Sequence, residues 1–124
     1  MKIDGFDKLL KTFKDNKEEI KIKNQIGKLF EICFKFCYPI STYILAKDII
    51  KLFSPSLINP IEEDGLILEW FLGKEYFLLE FYNNGEIIFL ERRQNRKKRI
   101  YEYNSENITK LRNRIIKLKE EYNK

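Results

Sequence analysis

The side chains of this chain that could perform chemistry are carboxylates, cations and two thiols, because its 124 residues include no histidine. Histidine is the commonest general base of enzymes, so its absence removes the usual means of proton transfer. Glu69, Glu80 and Glu91 fall on one face of a predicted sheet, where they could approach one another as a divalent-cation or acid–base site requires. Glutamates on a solvent-facing strand are equally ordinary, and no convergent polar groups accompany these three. We therefore expect no catalytic residue, no cofactor and a protein that is not an enzyme.

The two thiols, Cys33 and Cys37, stand four residues apart in an apolar helical stretch. A disulfide within one helical turn is strained, and a zinc site needs more ligands than these two side chains. We therefore interpret both as buried free thiols and predict no metal site.

The positive charge of the chain is concentrated between residues 92 and 99. The net charge is +5, and this run holds six cations and no acid, which leaves the remainder of the chain at −1. Beside Tyr101 and Tyr103, such a run could follow a phosphate backbone with aromatic stacking, or it could hold an acidic protein. It could also be a solvated turn without a role, as charge runs commonly are. The candidate binding residues are Arg92, Arg93, Arg96, Lys97, Lys98 and Arg99.

The element that would position these groups is a sheet, because the stretch from Asp64 to Glu91 predicts three strands joined by two tight turns. Asn84-Gly85 is the strongest short-range hairpin signal, and Gly73-Lys74 is a weaker turn of the same kind. If both are two-residue loops, the register follows and one face is wholly apolar. We predict that this face is the core, formed by Leu66, Leu68, Trp70, Phe77, Leu79, Phe81, Ile88 and Leu90.

The opposite face of the predicted sheet mixes glutamates with large apolar side chains. An antiparallel sheet covered on one side normally presents polar residues outward, and large exposed apolar patches are uncommon on monomers. Either a helix of this chain covers the face, or a protein partner or a second copy in a homodimer does. The candidate interface residues are Phe71, Tyr76, Leu78, Tyr82, Ile87 and Phe89.

Helical periodicity precedes the predicted sheet. Apolar residues from Ile3 to Phe13 predict a first amphipathic helix, and Asp15 followed by Glu18 predicts the capped start of a second helix. A third helix is predicted over about residues 42–53.

After the third helix, residues 54–64 are predicted to be a connecting loop, and Arg99 to Tyr103 a fourth strand. Asn104-Ser105 then predicts the cap of a last helix. Its inward stripe is Ile108, Leu111, Ile115, Leu118 and Tyr122.

These elements predict an α+β fold, in which N-terminal helices pack on an antiparallel meander of three or four strands, followed by a C-terminal helix. We expect one domain over residues 1–124. Its helical part covers about residues 1–54, its sheet about 65–103 and its C-terminal helix about 105–122. No apolar run is long enough to cross a membrane, and residues 1–5 show no apolar leader, so we expect a cytoplasmic protein without a membrane partner.

One segment also carries a family resemblance. It reads Pro55-Ser56-Leu57-Ile58-Asn59-Pro60-Ile61-Glu62-Glu63-Asp64-Gly65-Leu66-Ile67-Leu68-Glu69-Trp70 and is followed by the hairpin at Asn84-Gly85-Glu86-Ile87. It resembles small, mostly uncharacterised prokaryotic proteins that read Pro-x-Ile-x-Pro, an acidic residue, Gly-Gly, apolar residues and Leu-Glu-Trp. The likeness covers about residues 39 to 118 and includes the helix start at Pro39-Ile40-Ser41. The chain differs in having Asp64 at the first glycine position, and it lacks the Trp-Asp-Gly loop before Pro39.

Proteins of that kind are often encoded in toxin–antitoxin, mobile-element or phage-defence neighbourhoods. The resemblance therefore implies a small interaction partner in a bacterial or phage conflict system, with structural roles for Gly65 and Trp70. We expect a non-catalytic protein-binding module. The alternative is an RNA- or DNA-binding protein, or a component of a nucleoprotein complex, that uses the basic hairpin 92–99 and the basic C-terminal helix.

Overall fold

The computed structural model describes residues 4–123 and has three helices and a five-stranded antiparallel sheet in the order β1-β2-β3-β4-β5. The predicted α+β fold is confirmed, with five strands rather than three or four. The helices are α1 (Asp4–Lys35), α2 (Ile40–Leu52) and α3 (Ile108–Tyr122), the last preceded by a 3-10 turn at Ser105–Asn107. The strands are β1 (Leu57–Ile61), β2 (Gly65–Leu72), β3 (Glu75–Tyr82), β4 (Ile87–Arg92) and β5 (Arg99–Tyr103).

The two N-terminal helices predicted from the sequence are one continuous helix, α1. Asp15 has the sequence pattern of an N-cap, but no proline or loop precedes it to stop the helix, and Gly27 costs only about 1 kcal/mol within one. The prediction for Ile3 lies outside the described residues. A single long helix therefore replaces the expected pair.

Strand β1 occupies part of the predicted loop 54–64. Pro60 has no backbone N–H to donate, which is tolerated at a sheet edge, and β1 is the edge strand beside β2. Because proline is uncommon in strands, the sequence around Pro60 predicts a loop where the structure has β1.

Helix α2 lies within two residues of the predicted range 42–53. Helix α3 begins three residues after the predicted start at residue 105, because the 3-10 turn occupies residues 105–107. Asn104 caps the 3-10 turn as predicted, since its side-chain oxygen accepts a hydrogen bond from the N–H of Glu106 at 2.9 Å.

The register between β2 and β3 is the predicted one, with Trp70 opposite Phe77 and Leu66 opposite Phe81. The two-residue loop begins at Gly73, whose φ of +65° is a backbone conformation that glycine adopts without strain. This hairpin is confirmed pair by pair.

The register between β3 and β4 differs from the prediction by one residue. The loop contains three residues, because Tyr82 donates its N–H to the carbonyl of Glu86 and Phe81 lies opposite Ile87. Gly85, at φ +92°, takes the left-handed position that follows a type I turn in such loops. Asn83 is held there because its N–H and side-chain amide donate to the carbonyls of Asp64 and Glu63.

A one-residue shift moves every side chain of β4 to the other face. Ile87, Phe89 and Glu91 lie on the core side, with Ile87 and Phe89 at 1% and 0% exposure. The prediction that Ile87 and Phe89 are surface residues of an interface is therefore wrong. Conversely, Ile88 and Leu90, predicted in the core, lie half-buried on the opposite face.

The core lies between this sheet face and a layer of helices in which α2 packs between α1 and α3. Trp70 is fully buried, stacks on Phe53 and donates its indole N–H to the Phe53 carbonyl at 3.2 Å. Gly65 is also structural, since a Cβ there would lie 2.0 Å from the carbonyl oxygen of Phe81.

Candidate interaction surfaces

The sheet face opposite the helices, here called the outer face, carries a broad apolar surface. In the described residues, 4–123, the buried apolar residues of the helices lie on the core side, and the charged side of α1 borders the outer face at an open cleft lined by Phe71. Phe71 and Ile100 are 52% and 56% exposed, and the remaining apolar members are half-buried or exposed. The apolar and aromatic residues of the outer face are Leu57, Ile61, Ile67, Phe71, Tyr76, Leu78, Tyr82, Ile88, Leu90 and Ile100.

Four of the six predicted interface residues lie on this face, namely Phe71, Tyr76, Leu78 and Tyr82. The predicted loop over residues 54–64 excludes Leu57 from the predicted interface, and the predicted register places Ile88 and Leu90 in the core rather than on this face. A three-residue β3–β4 loop, in place of the predicted two-residue loop, would place Ile88 and Leu90 on the outer face.

Two glutamates of the outer face accept hydrogen bonds from neighbouring tyrosines. The Tyr76 hydroxyl donates to Glu69 at 2.6 Å, and the Tyr82 hydroxyl donates to Glu80 at 2.5 Å. The bond to Glu80 is the main cause that raises the pKa of Tyr82 to about 12. Burial, followed by the bond to Glu69, raises the pKa of Tyr76 above its usual range. The tyrosine rings are thereby held in place against the sheet.

The predicted trio of carboxylates does not assemble, because Glu91 lies on the core face while Glu69 and Glu80 lie on the outer one. Within residues 4–123, no group of three or more His, Cys, Asp or Glu side chains is placed to hold a metal ion.

Both cysteines are free thiols. Cys33 is buried, and this burial raises the pKa of its thiol. Cys37 is exposed, so the prediction that Cys37 is buried is wrong.

The basic run divides into one inward cation and five exposed ones. Arg93 packs over the ring of Phe77 and pairs with Glu121 at 2.7 Å, so it holds α3 against the sheet. The buried Glu91 lies 3.9 Å from Arg93 and 3.6 Å from Arg114. The exposed cations, called the basic loop, are Arg92, Arg96, Lys97, Lys98 and Arg99.

The C-terminal helix contributes less free positive charge than its sequence indicates. Arg112 pairs with Asp48 at 2.6 Å, and Arg114 lies over the ring of Tyr101 and donates to the hydroxyl of Tyr103 at 2.8 Å. These two arginines join α3 to α2 and to the sheet. A nucleic-acid surface built on α3 would have only its lysines at the outer positions.

Comparison of the chain with known protein families, with curated proteins and with solved structures finds no match. Among residues 4–123, no helix has the length and apolar character needed to span a bilayer.

Proposed function

We propose that this chain is a non-catalytic protein-binding module whose outer face holds a macromolecular partner. The observation that carries the proposal is the outer face itself, where Phe71, Ile100 and Leu57 are about half exposed while the helices lie on the other side of the sheet. Leaving such a patch in water is unfavourable by about 25 cal/mol for each Å² of apolar area. A partner that covers it recovers that free energy.

The chemistry of the outer face favours a protein over a nucleic acid. Glu69, Glu80 and Glu102 would repel phosphate groups, and the tyrosines and large apolar side chains are the types enriched in protein interfaces. Five strands at a spacing of about 4.8 Å offer a surface on the order of 500 Å², which suits a modest protein interface.

The basic loop borders this surface, because Arg92 ends β4 on the outer side and Arg99 begins β5. Charges at an interface rim change the rate of association more than the final affinity. We therefore assign the basic loop to steering an acidic partner toward the outer face. The family resemblance supports a partner within a bacterial or phage conflict system.

The alternative function, RNA or DNA binding, is favoured by one observation, the five exposed cations of the basic loop. It predicts an affinity that falls steeply as the salt concentration rises, because bound phosphates release counterions. An interaction that is insensitive to salt would contradict it.

The test begins with capture of partners by the wild-type chain and by a variant carrying Phe71→Ser and Ile100→Ser. The matched control carries Ile40→Ser and Ile44→Ser on α2, where two isoleucines are as exposed but lie far from the outer face. The identified partner is then purified, and its affinity for each chain is measured by calorimetry. We expect the outer-face variant to lose at least tenfold in affinity and the control to match wild type; equal affinities would overturn the proposal.

A second variant separates the protein and nucleic-acid alternatives. It changes Arg92, Arg96, Lys97, Lys98 and Arg99 to Ser and retains Arg93, whose ion pairs hold α3. Under the proposal, this variant associates more slowly, and the complex survives nuclease treatment. If nuclease and this variant both abolish binding, the nucleic-acid alternative replaces the proposal.

A further inference from the structure

The N-terminal half of α1 carries a second apolar surface, distinct from the outer face. Five large apolar side chains between residues 6 and 20 are 44–69% exposed, although they belong to a long continuous helix. They are Phe6, Leu9, Leu10, Phe13 and Ile20 and are here called the α1 stripe. The sequence predicts instead that the apolar face of this helix packs within the domain.

The α1 stripe points away from the domain. The C-terminal half of the same helix packs through residues such as Ile22, Leu29 and Cys33. At about 100° of rotation per residue, the stripe and this packed side lie about 170° apart around the helix axis. A single straight helix cannot turn both surfaces toward one core, so the stripe remains outside it.

The domain faces the charged side of this part of α1 instead. Lys14, Asp15, Glu18 and Lys21 line an open cleft whose other wall is formed by residues of β2, α3 and the α2–β1 connection. None of the other residues that the structure describes therefore covers the stripe, whose side chains are 44–69% exposed.

Three apolar residues of the α1 stripe have the seven-residue spacing found in helices that pair with another helix. Phe6, Phe13 and Ile20 recur every seven residues, which is the spacing of one apolar position of a heptad. Leu9 and Leu10 fill the turn between the first two, whereas Asn16 and Lys17 occupy the turn between the second two. Two heptads are too short to pair as free peptides, but here the packed half of α1 already supplies the helix nucleus. We infer that the α1 stripe pairs with the α1 stripe of a second copy, forming a homodimer.

An antiparallel pair suits both the symmetry and the shape of the chain. Phe6 and Ile20 are each seven residues from Phe13, so a twofold axis at Phe13 places Phe6 of one copy opposite Ile20 of the other. The same axis places Leu9 and Leu10 opposite Lys17 and Asn16, so the apolar contact is centred on the three positions spaced by seven residues. Because each stripe points away from its own domain, the two domains lie on the outer sides of the helix pair and do not collide. The outer faces remain free, and the dimer presents two of them.

The expected affinity is modest. If each stripe side chain loses roughly 100 Å² of accessible area, the pair buries about 1,000 Å² in total, near the lower limit of specific interfaces. The dimer therefore dissociates on dilution.

Sedimentation of the full chain over a wide range of concentration tests the inference. We expect the wild-type mass to approach twice 15.1 kDa at high concentration. A variant with Leu9→Lys and Phe13→Lys is expected to remain monomeric, and circular dichroism should show its helix content unchanged, because both side chains are exposed. A matched control with Ile40→Lys and Ile44→Lys should dimerise like wild type.

Three results would overturn the inference. One is a wild-type mass that stays at 15.1 kDa at every concentration, and another is a stripe variant that still dimerises. The third is loss of the dimer in the Phe71→Ser, Ile100→Ser variant, which would assign self-association to the outer face. Because the proposed function is measured on that other surface, either conclusion can fail without the other.

Disulfide trapping tests the orientation. Two chains are mixed, one with Phe6→Cys and the other with Ile20→Cys, each also carrying Cys37→Ser to remove the exposed native thiol. The antiparallel pair predicts disulfides between the two different chains. Links only between identical chains would contradict it.

Discussion

The two faces of the sheet are built from the same strands and from similar residue types, yet they differ completely in exposure. Along β2, Leu66, Leu68 and Trp70 are fully buried, whereas Ile67 is half-buried and Phe71 is 52% exposed. Apolar character alone therefore does not distinguish core from surface in this protein. The distinction comes from the helices, which cover one face and leave the other exposed.

The charges on the two faces differ in the same way. On the core face, the buried carboxylate of Glu91 lies between Arg93 and Arg114. On the outer face, Glu69 and Glu80 accept bonds from tyrosine hydroxyls and keep contact with solvent. A buried charge requires opposite charge, whereas a half-exposed one needs only a hydrogen bond.

The largest difference between the faces should appear when aspartate replaces a phenylalanine on each. Phe89→Asp removes a fully buried ring and buries a charge, so we expect it to lower the free energy of unfolding by more than about 3–5 kcal/mol and to unfold most of the chain. Phe71→Asp should cost less than about 1 kcal/mol. Urea unfolding followed by circular dichroism measures both, and similar losses would abolish the distinction between the faces.

A smaller difference is expected for the glutamates. Glu91→Gln removes the charge that faces two arginines and should lower the free energy of unfolding by about 1–3 kcal/mol. Glu102→Gln, at an exposed position of β5, should change it by less than about 0.5 kcal/mol. Urea unfolding measures both changes. Equal changes in the free energy of unfolding would show that the ion pairs of Glu91 with Arg93 and Arg114 do not stabilise the fold.

The smallest effect is a pH dependence that belongs to the outer face. The hydrogen bond to Glu80 raises the pKa of Tyr82 from 10.0 to about 12, so between these values the unfolded chain has lost a proton that the folded chain retains. Stability from this pair is complete below pH 10 and decreases as pH rises toward 12. Tyr82→Phe should flatten this part of the pH profile relative to wild type, and Glu80→Gln should do the same by removing the acceptor charge. If the stability of wild type and of both variants falls in parallel between pH 10 and 12, the pH dependence does not come from the Tyr82–Glu80 pair.

The two hairpins differ in whether their register depends on neighbouring residues alone. The β2–β3 register could be predicted because Gly73 forms a local two-residue turn that needs no help from the rest of the chain. The β3–β4 register could not, because Asn83 is held by the carbonyls of Glu63 and Asp64 in a turn that leads out of an unrecognised strand. The three-residue loop that includes Asn83 shifts the register by one residue and places Ile87 and Phe89 in the core.

The sequence by itself determined the α+β class, four of the five strands, the C-terminal helix with its Asn104 cap and the basic loop. These features depend on local periodicity, turn residues and charge, which act over a few neighbouring residues. Only the tertiary structure decided which apolar surfaces are covered, because coverage depends on contacts between distant segments. In the tertiary structure Arg93 forms an ion pair with Glu121 that holds α3 against the sheet, and the outer face and the α1 stripe are exposed.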